Sequence, residues 1–512
     1  MGAEVVIAVN VEYPLLDAEA LHGVVEVVSQ LTTLMVESNT RRQIENLDEH
    51  DVLITPELDS EFGSAEFQRS PEAVELGYEA ARRAQSELRV LQLDEGAYAA
   101  WRAGVDACVG APPRVEFVQI ENGSRFSDAV IGNLVSGADG RLLDAALRDR
   151  EMSHIHALGF IRSATWEVIE QDGRTGLLVQ VEPDQRGTDF IESGLELTGG
   201  PRGSNVNLKA GYLKTDLDER GSELRGIVQV GNEQGLLAEY YKPLDDGLRW
   251  ILHPQLTVTR RNFTSFDPGG AALAEWEVDE YGAELRIGRE FSRHAGLFLT
   301  ASRYAGNARI KTGPPESDNL RFNGGEWSLE AVYDRLDNRF LPSSGTFGRL
   351  AYVVSDRQLG ADADFEQFEL NLFSSLTRGR HTAWLGTRFN TTLDDDAPVY
   401  ALYSGGGFLN MSGFEPDQLI GQHFGQTMLG YRFRLDQSGL LPAYAGMTLE
   451  YGGAAARRED VYADGLLNGS LYLGYDSPLG PLYLGLGWSE EQSGLFFVRL
   501  GTLFGTEAIG RR

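Results

Sequence analysis

The last third of the sequence alternates apolar residues with polar or small residues, one segment after another. In residues 482–488, every second residue is leucine or tryptophan, and the residues between them are tyrosine or glycine. A period of two is expected of a β-strand. Because only alternate residues of a transmembrane barrel strand face lipid, this pattern is what such a barrel requires. It predicts that the C-terminal part of the chain closes into a barrel in an outer membrane.

Composition agrees with this interpretation and excludes several classes of protein. The 512 residues contain no apolar run near the roughly 18 residues of a membrane helix. The 60 glycines suit hairpins and lumen-facing positions, and the net charge of −31 disfavours nucleic acid as a partner. The single cysteine, Cys108, excludes an intrachain disulfide, and the histidines lack metal-ligand spacing. We therefore expect neither a metal nor a cofactor.

The predicted secondary-structure pattern changes twice along the sequence, which indicates three parts. Residues 1–110 indicate an α/β segment, residues 113–184 a small α+β module, and residues 186–512 an all-β domain. Sixteen strand-like segments fall in the last part, and an even count agrees with bacterial barrels. These segments are 191–197, 206–212, 224–230, 236–241, 250–258, 284–289, 297–304, 328–333, 346–354, 367–376, 383–389, 428–435, 444–451, 470–475, 480–488 and 494–504.

The charged residues of the predicted strands define which face points into the lumen. A midplane arginine on the lipid face would cost about 2–4 kcal/mol, whereas a wet interior accepts it at little cost. We therefore assign to the lumen Gln367, Glu369, Asn371, Arg432, Arg434, Glu450 and Arg499.

The first 110 residues contain too few strands for an independent sheet. Residues 4–11 form an apolar run typical of a buried parallel strand, and a second short strand is predicted at 51–55. Helices are predicted at 21–40 and 70–88. Two strands cannot make a stable sheet of this type, so the segment looks cut.

Three runs carry a resemblance that accounts for this. Gly2-Ala-Glu-Val-Val-Ile-Ala-Val-Asn-Val11, Asp51-Val-Leu-Ile-Thr-Pro-Glu-Leu58 and Gly77-Tyr-Glu-Ala-Ala81 are similar to the C-terminal half of a patatin-like phospholipase domain. That family hydrolyses lipid acyl esters with a Ser in G-x-S-x-G, an Asp in D-G-[GA] and a Gly-rich oxyanion loop. In that family, all three elements precede the strand that corresponds to the first strand of this chain.

None of these catalytic elements has a counterpart in the sequence. No G-x-S-x-G occurs, and the Asp-Gly pairs lie between strand or helix patterns, where turns are expected. We assign no catalytic residue and expect no acyl hydrolysis by the chain as written. We expect instead that Met1 is an internal methionine of a longer lipid acyl hydrolase; a catalytically dead natural remnant is the alternative.

The middle part follows the order strand, helix, helix, strand, strand. The predicted elements are 114–120, 127–134, 142–157, 159–170 and 176–182. This order is similar to a polypeptide-transport-associated (POTRA) domain. Such domains dock partner segments by strand addition to a sheet edge. A rigid spacer between passenger and barrel is the alternative.

Two motifs make the barrel resemble the bacterial surface antigen superfamily of outer-membrane assembly and secretion barrels. The first is the turn D-x-x-D-N-x-x-x-P-x-x-G, formed by Asp334, Asp337, Asn338, Pro342 and Gly345. The second lies in the long connection 394–424, where that superfamily has a lumen-inserted loop with a V-R-G-[FY] motif. The matching residues are Gly406, Gly407, Met411, Ser412, Gly413 and Phe414.

The second motif departs from the superfamily at one position. Ser412 stands where the resemblance places an arginine that packs against acidic wall residues, for which Glu450 would be the analogue. A serine cannot form a bidentate ion pair with a carboxylate, which puts an ordinary assembly or two-partner mechanism in doubt. Barrels fused to patatin-like domains resemble this chain in having L/M-S-G-[FY]. The aromatic Phe504 matches a C-terminal barrel strand.

Together these features predict a mainly β protein of the type V secretion class. It comprises a truncated patatin-like segment, a POTRA-like module and a sixteen-stranded barrel that anchors or translocates the lipase in the bacterial outer membrane. The expected partners are outer-membrane lipids, the barrel assembly machinery and the chain's own patatin-like passenger, with a homo-oligomer left open. Two alternatives remain, a stand-alone insertase or translocase with a vestigial N-terminal segment, and a passive porin.

Overall fold

The computed structural model describes residues 4–12, 15, 24–58, 70–108, 114–138, 140–159, 161–184, 187–200, 203–267, 271–313, 319–338, 341–393, 396–435, 443–477, 480–491 and 494–500. The chain divides into two compact units, the first covering residues 1–111 and the second beginning at residue 112. Across these described ranges, no helix has the length and apolar character needed to cross a membrane.

In its described residues, the first unit contains two short parallel strands and four α-helices. Ile7 pairs with Val52 and Val9 with Ile54. The buried apolar core among its described residues is Val52, Ile54, Ala80 and Ala84. The elements are β1 (Ile7–Val9), α1 (Val24–Ile44), β2 (Val52–Ile54), α2 (Ser70–Arg83), α3 (Gln85–Leu88) and α4 (Glu95–Cys108).

The expectation that the first strand is buried was wrong. Ile7 and Val9 are 52% and 55% exposed. A parallel strand is buried only when further strands and helices cover both of its faces, and a two-stranded sheet with so small a core does not cover β1. The predicted helix 70–88 also divides at Ala84 into α2 and α3, and α4 was missed.

The second unit begins with a three-stranded sheet packed against two helices. Its elements are β3 (Phe117–Asn122), α5 (Asp128–Leu134), α6 (Ala145–His156), β4 (Ile161–Gln171) and β5 (Arg174–Pro183). The sheet order is β3-β5-β4, with β3 parallel to β5 and β4 antiparallel to it. The predicted order of elements therefore matches. Helix α6 begins later than expected because the Asp144 carboxylate accepts a hydrogen bond from the backbone N–H of Leu147 at 2.7 Å and caps the helix there.

Sixteen antiparallel strands close into a barrel, as predicted, and each predicted segment overlaps one strand. The closing pair joins the last strand to the first. The strands are β6 (Asp189–Gly200), β7 (Gly203–Lys214), β8 (Glu223–Gly231), β9 (Gln234–Pro243), β10 (Trp250–Phe266), β11 (Ala272–Ser292), β12 (Ala295–Thr312), β13 (Leu320–Asp334), β14 (Gly345–Ser355), β15 (Phe365–Arg378), β16 (His381–Thr392), β19 (His423–Arg434), β20 (Ala443–Ala455), β21 (Leu466–Ser477), β22 (Gly480–Ser489) and β23 (Leu495–Leu500). Two short strands, β17 (Tyr403–Gly405) and β18 (Leu419–Gly421), pair with each other between β16 and β19, and α7 (Asp460–Ala463) lies between β20 and β21.

The two faces of the wall differ as the alternation predicts. Glu450 and Gln367, assigned to the lumen, are buried at 0% and 2% exposure. Glu369 accepts a hydrogen bond from Arg349 at 2.7 Å, and Arg349 also pairs with Glu330. The opposite face carries exposed leucines on successive strands: Leu350, Leu372, Leu385, Leu429, Leu449, Leu473 and Leu486.

Several strands are much longer than the sequence indicated. β11 spans 21 residues where six were predicted. The extra length carries charged residues on the outer face: Arg260 bonds to Asp279 at 2.5 Å and Lys311 to Glu275 at 2.9 Å across neighbouring strands. These segments escaped prediction because their alternation is reversed: charged residues occupy the outer face, and apolar residues such as Trp276 and Val278 pack on the inner face.

The connections define the two ends of the barrel. Outer-membrane barrels have short periplasmic turns and longer extracellular loops. The longest connection, residues 393–422, therefore marks the extracellular end. The three-stranded module lies at the opposite end, where the backbone N–H of Ser127 donates to the carbonyl of Glu219 at 2.9 Å and Leu248 packs against the module's core.

Candidate functional site

The long connection 393–422, called here the lumen loop, turns into the barrel and carries the glycine-rich motif. Strands β17 and β18 form its stem, with Tyr403 opposite Gly421. In the tip between them, Leu409 and Met411 have φ of 60° and 68°. Non-glycine residues seldom adopt positive φ, and such strain persists only where surrounding contacts impose it. The tip is therefore a conformation held by its partners on the wall.

The main partner of the tip is Glu450, a fully buried carboxylate on β20. The Ser412 hydroxyl donates to Glu450 Oε1 at 2.6 Å, and the Ser412 backbone N–H donates to Oε2 at 2.8 Å. Two wall residues complete the set: Gln426 donates to Oε2 at 3.1 Å and Thr448 to Oε1 at 2.8 Å. Hydrogen bonds to an ionised carboxylate are roughly twice as strong as those between neutral groups. Four donors thus satisfy one buried carboxylate.

The structure brings together the two residues that the sequence analysis paired by resemblance. Ser412 makes no ion pair, as expected of a serine, but its hydroxyl and backbone N–H together reach both carboxylate oxygens. The arrangement needs a close approach of the two backbones. A Cβ placed on Gly487 of β22 would lie 1.8 Å from the Ser412 carbonyl oxygen. A glycine at this wall position is what lets the serine come near enough.

A second contact anchors the tip through an aromatic side chain that sequence reasoning missed. The Phe408 ring stacks on Phe497 of β23 at 4.1 Å between centroids. It also meets the rings of Tyr472 on β21 and Tyr483 on β22, at 5.4 and 5.1 Å. The position of Phe408 directly after three consecutive glycines was the signal that could have identified it.

Removing this ring should release the loop tip. We expect Phe408→Ala to cost about 3–5 kcal/mol of docking free energy, the usual penalty for deleting a buried phenylalanine. Hydrogen exchange at residues 405–414 should accelerate while exchange at β20 stays slow. Phe496→Ala is the matched control, because Phe496 is exposed on the outer face of the same strand as Phe497. Equal exchange in the two variants would contradict this anchoring role.

Three further contacts fix the loop to other parts of the wall. The Tyr400 ring stacks on Phe322 of β13 at 4.9 Å. Gln367 of β15 donates to the Ala401 carbonyl at 2.9 Å, and Arg388 of β16 donates to the Asn410 side chain at 2.8 Å. The loop therefore crosses the lumen, with contacts from β13 on one side to β23 on the other.

The remaining motif residues also lie in the tip, where apolar packing and close backbone contacts hold them. Met411 and Phe414 are buried with Phe424 in one cluster. Gly406 has φ of 123°, and a Cβ there would lie 1.8 Å from the Glu415 carbonyl oxygen. Gly407 has φ of 94°, and a Cβ on Gly413 would lie 2.5 Å from the Trp488 backbone. All six motif residues thus lie in the tip that docks on the wall.

The other motif, Asp334 to Gly345, forms the turn between β13 and β14 at the periplasmic end. Asp337 accepts backbone hydrogen bonds from Ser343 at 2.8 Å and Ser344 at 3.0 Å. Asp334 and Asn338 accept from the backbone N–H of Leu336 and Leu341, and Gly345 has φ of 111°. The carboxylates and the amide therefore act as the turn's internal clamps, while the Pro342 carbonyl accepts a hydrogen bond from outside the turn.

The Asp337 carboxyl stays ionised in this setting. Partial burial would raise its pKa, but hydrogen bonds from the Ser343 side chain and from the backbone of Ser344, Ser343 and Asn338 outweigh burial and hold the pKa below its usual value. The turn therefore keeps its clamp at neutral pH.

One predicted residue, Phe504, lies outside the described residues. Of the described part of the chain, no three His, Cys, Asp or Glu side chains converge where a metal ion could bind. The site is therefore built from hydrogen bonds and ring contacts between a loop and a wall.

The fold and the site define an outer-membrane β-barrel whose lumen holds a long extracellular loop. A match to the Omp85 superfamily domain covers residues 217–504, more than half of the chain, and the chain belongs to that superfamily. It is a bacterial outer-membrane protein. No protein of curated function matches the sequence.

Solved structures share the fold at low sequence identity. BamA from Haemophilus ducreyi lacking POTRA domains 1-3 gives a TM-score of 0.58 at 13% identity, covering 76% of this chain and 84% of that chain. CdiB from Acinetobacter baumannii gives 0.51 at 12% identity, covering 76% and 74%. CdiB from Escherichia coli gives 0.51 at 12% identity, covering 76% of both chains. At these identities the similarity concerns the fold alone.

Proposed function

We propose that this barrel anchors or translocates a patatin-like lipid acyl hydrolase in the outer membrane, and that residues 1–110 are part of that enzyme without its catalytic Ser and Asp. The observation that carries the proposal is the surface of the first unit. Its described buried core has four residues, whereas apolar side chains in and beside β1 and on the helical segments are exposed: Val6, Ile7, Val9, Val11, Leu31, Met35, Val74, Val90 and Trp101. An α/β segment with this surface is typical of part of a larger domain.

The module at 113–184 is proposed to be a POTRA-like linker between enzyme and barrel. Its order of elements and its sheet order β3-β5-β4 support this assignment. The region similar to BamA and CdiB covers more of this chain than the barrel strands occupy, which also favours a module of related fold. In this role it either docks a segment of the passenger or holds the passenger at a fixed distance.

The lumen loop supports a closed barrel rather than a passive porin. A pore for solutes needs an open lumen, but this loop contacts the wall from β13 to β23 and is clamped through Ser412. We propose that the loop keeps the barrel closed at rest.

A stand-alone insertase or translocase is the second candidate. It is favoured by the superfamily match and by the similarity of fold to BamA and CdiB. In that case the barrel assembly machinery or a separate polypeptide would be the partner, and residues 1–110 would be vestigial.

Intact mass and N-terminal peptide mapping of the protein from outer-membrane fractions separate the two candidates. A mass well above 56.3 kDa, with upstream peptides containing G-x-S-x-G and D-G-[GA], supports the lipase fusion. The longer protein should then hydrolyse phospholipid and lose this activity when the serine of that G-x-S-x-G is replaced by alanine. A mass of 56.3 kDa and no hydrolysis would reject the lipase and leave the translocase.

A further inference from the structure

The turn between β13 and β14, of which residues 335–338 and 341–344 are described, does more than join the two strands, because its backbone reaches the inner wall of strands further round the barrel. Thr377 of β15 donates to the Ser343 carbonyl at 2.7 Å. Arg432 of β19 donates to the carbonyls of Leu341 at 3.2 Å and Pro342 at 2.5 Å. Three strand spacings, about 14 Å, separate β14 from β19. The turn therefore lies across the inner wall at the periplasmic mouth of the lumen.

Arg432 and the turn depend on each other. The Arg432 side chain is buried at 6% exposure, and a buried guanidinium needs acceptors for its N–H groups. Two of these acceptors are the turn carbonyls, and the ring of Tyr444 lies 5.3 Å below the guanidinium carbon. Asp337 and Asn338 hold the turn in the shape that presents those carbonyls.

The contact points of the turn and of the lumen loop lie on one row of the barrel wall. Thr377 pairs with Thr382, and Thr382 pairs with Arg432. The row then continues through paired residues on each following strand, Gly446, Tyr472, Gly485 and Phe497. The turn contacts the first part of this row and Phe408 of the lumen loop contacts the last part. The two elements thus enter the lumen from opposite ends and meet the same strip of wall.

We propose that the turn between β13 and β14, through its described residues 335–338 and 341–344, is a second closure element at the periplasmic mouth, and that Arg432 is the positioning residue that holds it there. The lumen loop closes the other end, so the two elements obstruct the lumen in series. This inference rests on the proposed closed state of the barrel, but not on the identity of any passenger.

Obstructions in series have a distinctive signature in single-channel conductance. In planar bilayers, Arg432→Ala alone and deletion of residues 405–414 alone should each raise conductance slightly, since the other obstruction remains. The double variant should raise it by more than the sum of the two single increases. Arg432→Lys keeps a donor for the carbonyls and should restore part of the closure in the loop-deleted barrel.

Two further variants keep the result interpretable. Asp337→Ala frees the turn without changing the wall and should reproduce the effect of Arg432→Ala in the loop-deleted barrel. Arg499→Ala removes an inward charge of β23 away from the turn and should have no such effect. If the double variant conducts no better than the loop deletion alone, the turn is not a closure element. If the loop deletion has no effect either alone or combined with Arg432→Ala, the proposed closed state itself fails.

Discussion

Replacing Glu450 by alanine should expel the lumen loop from the barrel wall. The carboxylate is the acceptor for four donors, two from Ser412 and one each from Gln426 and Thr448. Each buried donor left without an acceptor costs about 1–3 kcal/mol. The strained Leu409 and Met411 would lose the contact that holds them at positive φ. We therefore expect the docked loop to lose at least about 3 kcal/mol and the tip to leave its site.

Limited proteolysis in detergent measures this release, with cleavage expected within residues 405–414. Glu369→Ala is the matched control, because Glu369 is also an inward carboxylate but bonds to Arg349 on the wall. That variant should weaken the barrel and leave the tip protected. Equal protection of the tip from proteolysis in the Glu450→Ala variant and in the unchanged protein would show that the contact between Glu450 and Ser412 does not hold the loop.

Placing a methyl group on Gly487 should have the same consequence by a steric route. Its Cβ would lie 1.8 Å from the Ser412 carbonyl oxygen, a backbone atom that cannot move without the loop. Overpacking of this kind costs about 1–3 kcal/mol or more. We expect Gly487→Ala to displace the tip and to break both hydrogen bonds between Ser412 and Glu450.

Comparison with another wall glycine isolates the steric effect. A Cβ on Gly386 of β16 would meet the end of the flexible Met428 side chain at 3.5 Å, an ordinary contact. Gly386→Ala should therefore leave the tip in place. Protection of residues 405–414 from proteolysis should fall in Gly487→Ala alone, and equal protection in both variants would show that the wall tolerates the methyl group.

The barrel could be predicted well from the sequence because contact with lipid imposes the same alternating pattern on each strand. Lipid requires an apolar outer face, so Leu482, Leu484 and Leu486 repeat at a period of two. The upper parts of β10 to β12 were missed because their outer face lacks these apolar residues. There Glu277 and Asp279 replace apolar residues on the outer face.

Only part of the candidate site could be predicted from the sequence. Ser412 and Glu450 lie 38 residues apart, and it was resemblance to a family motif that connected them. The contact of Arg432 with Leu341 and Pro342 left no signal in the sequence, because a backbone carbonyl accepts a hydrogen bond whatever its side chain. Burial of the first strand was predicted wrongly. An apolar run shows that a strand would be stabilised by burial, but it does not show whether other elements cover that strand.

The long strands β10 to β12 give the outer surface of the cell a raised feature. Eight residues of β11, from Ala272 to Asp279, extend past the apolar band, which for a strand tilted by about 40° corresponds to a height of about 20 Å. On the strands that precede β10 in the barrel, β6 is joined to β7 and β8 to β9 at this end by connections of only two residues. The rim is therefore a slope. An antibody or phage approaching from outside would contact an ordered ridge of paired charges. Backbone hydrogen bonds between the strands fix the height of this ridge.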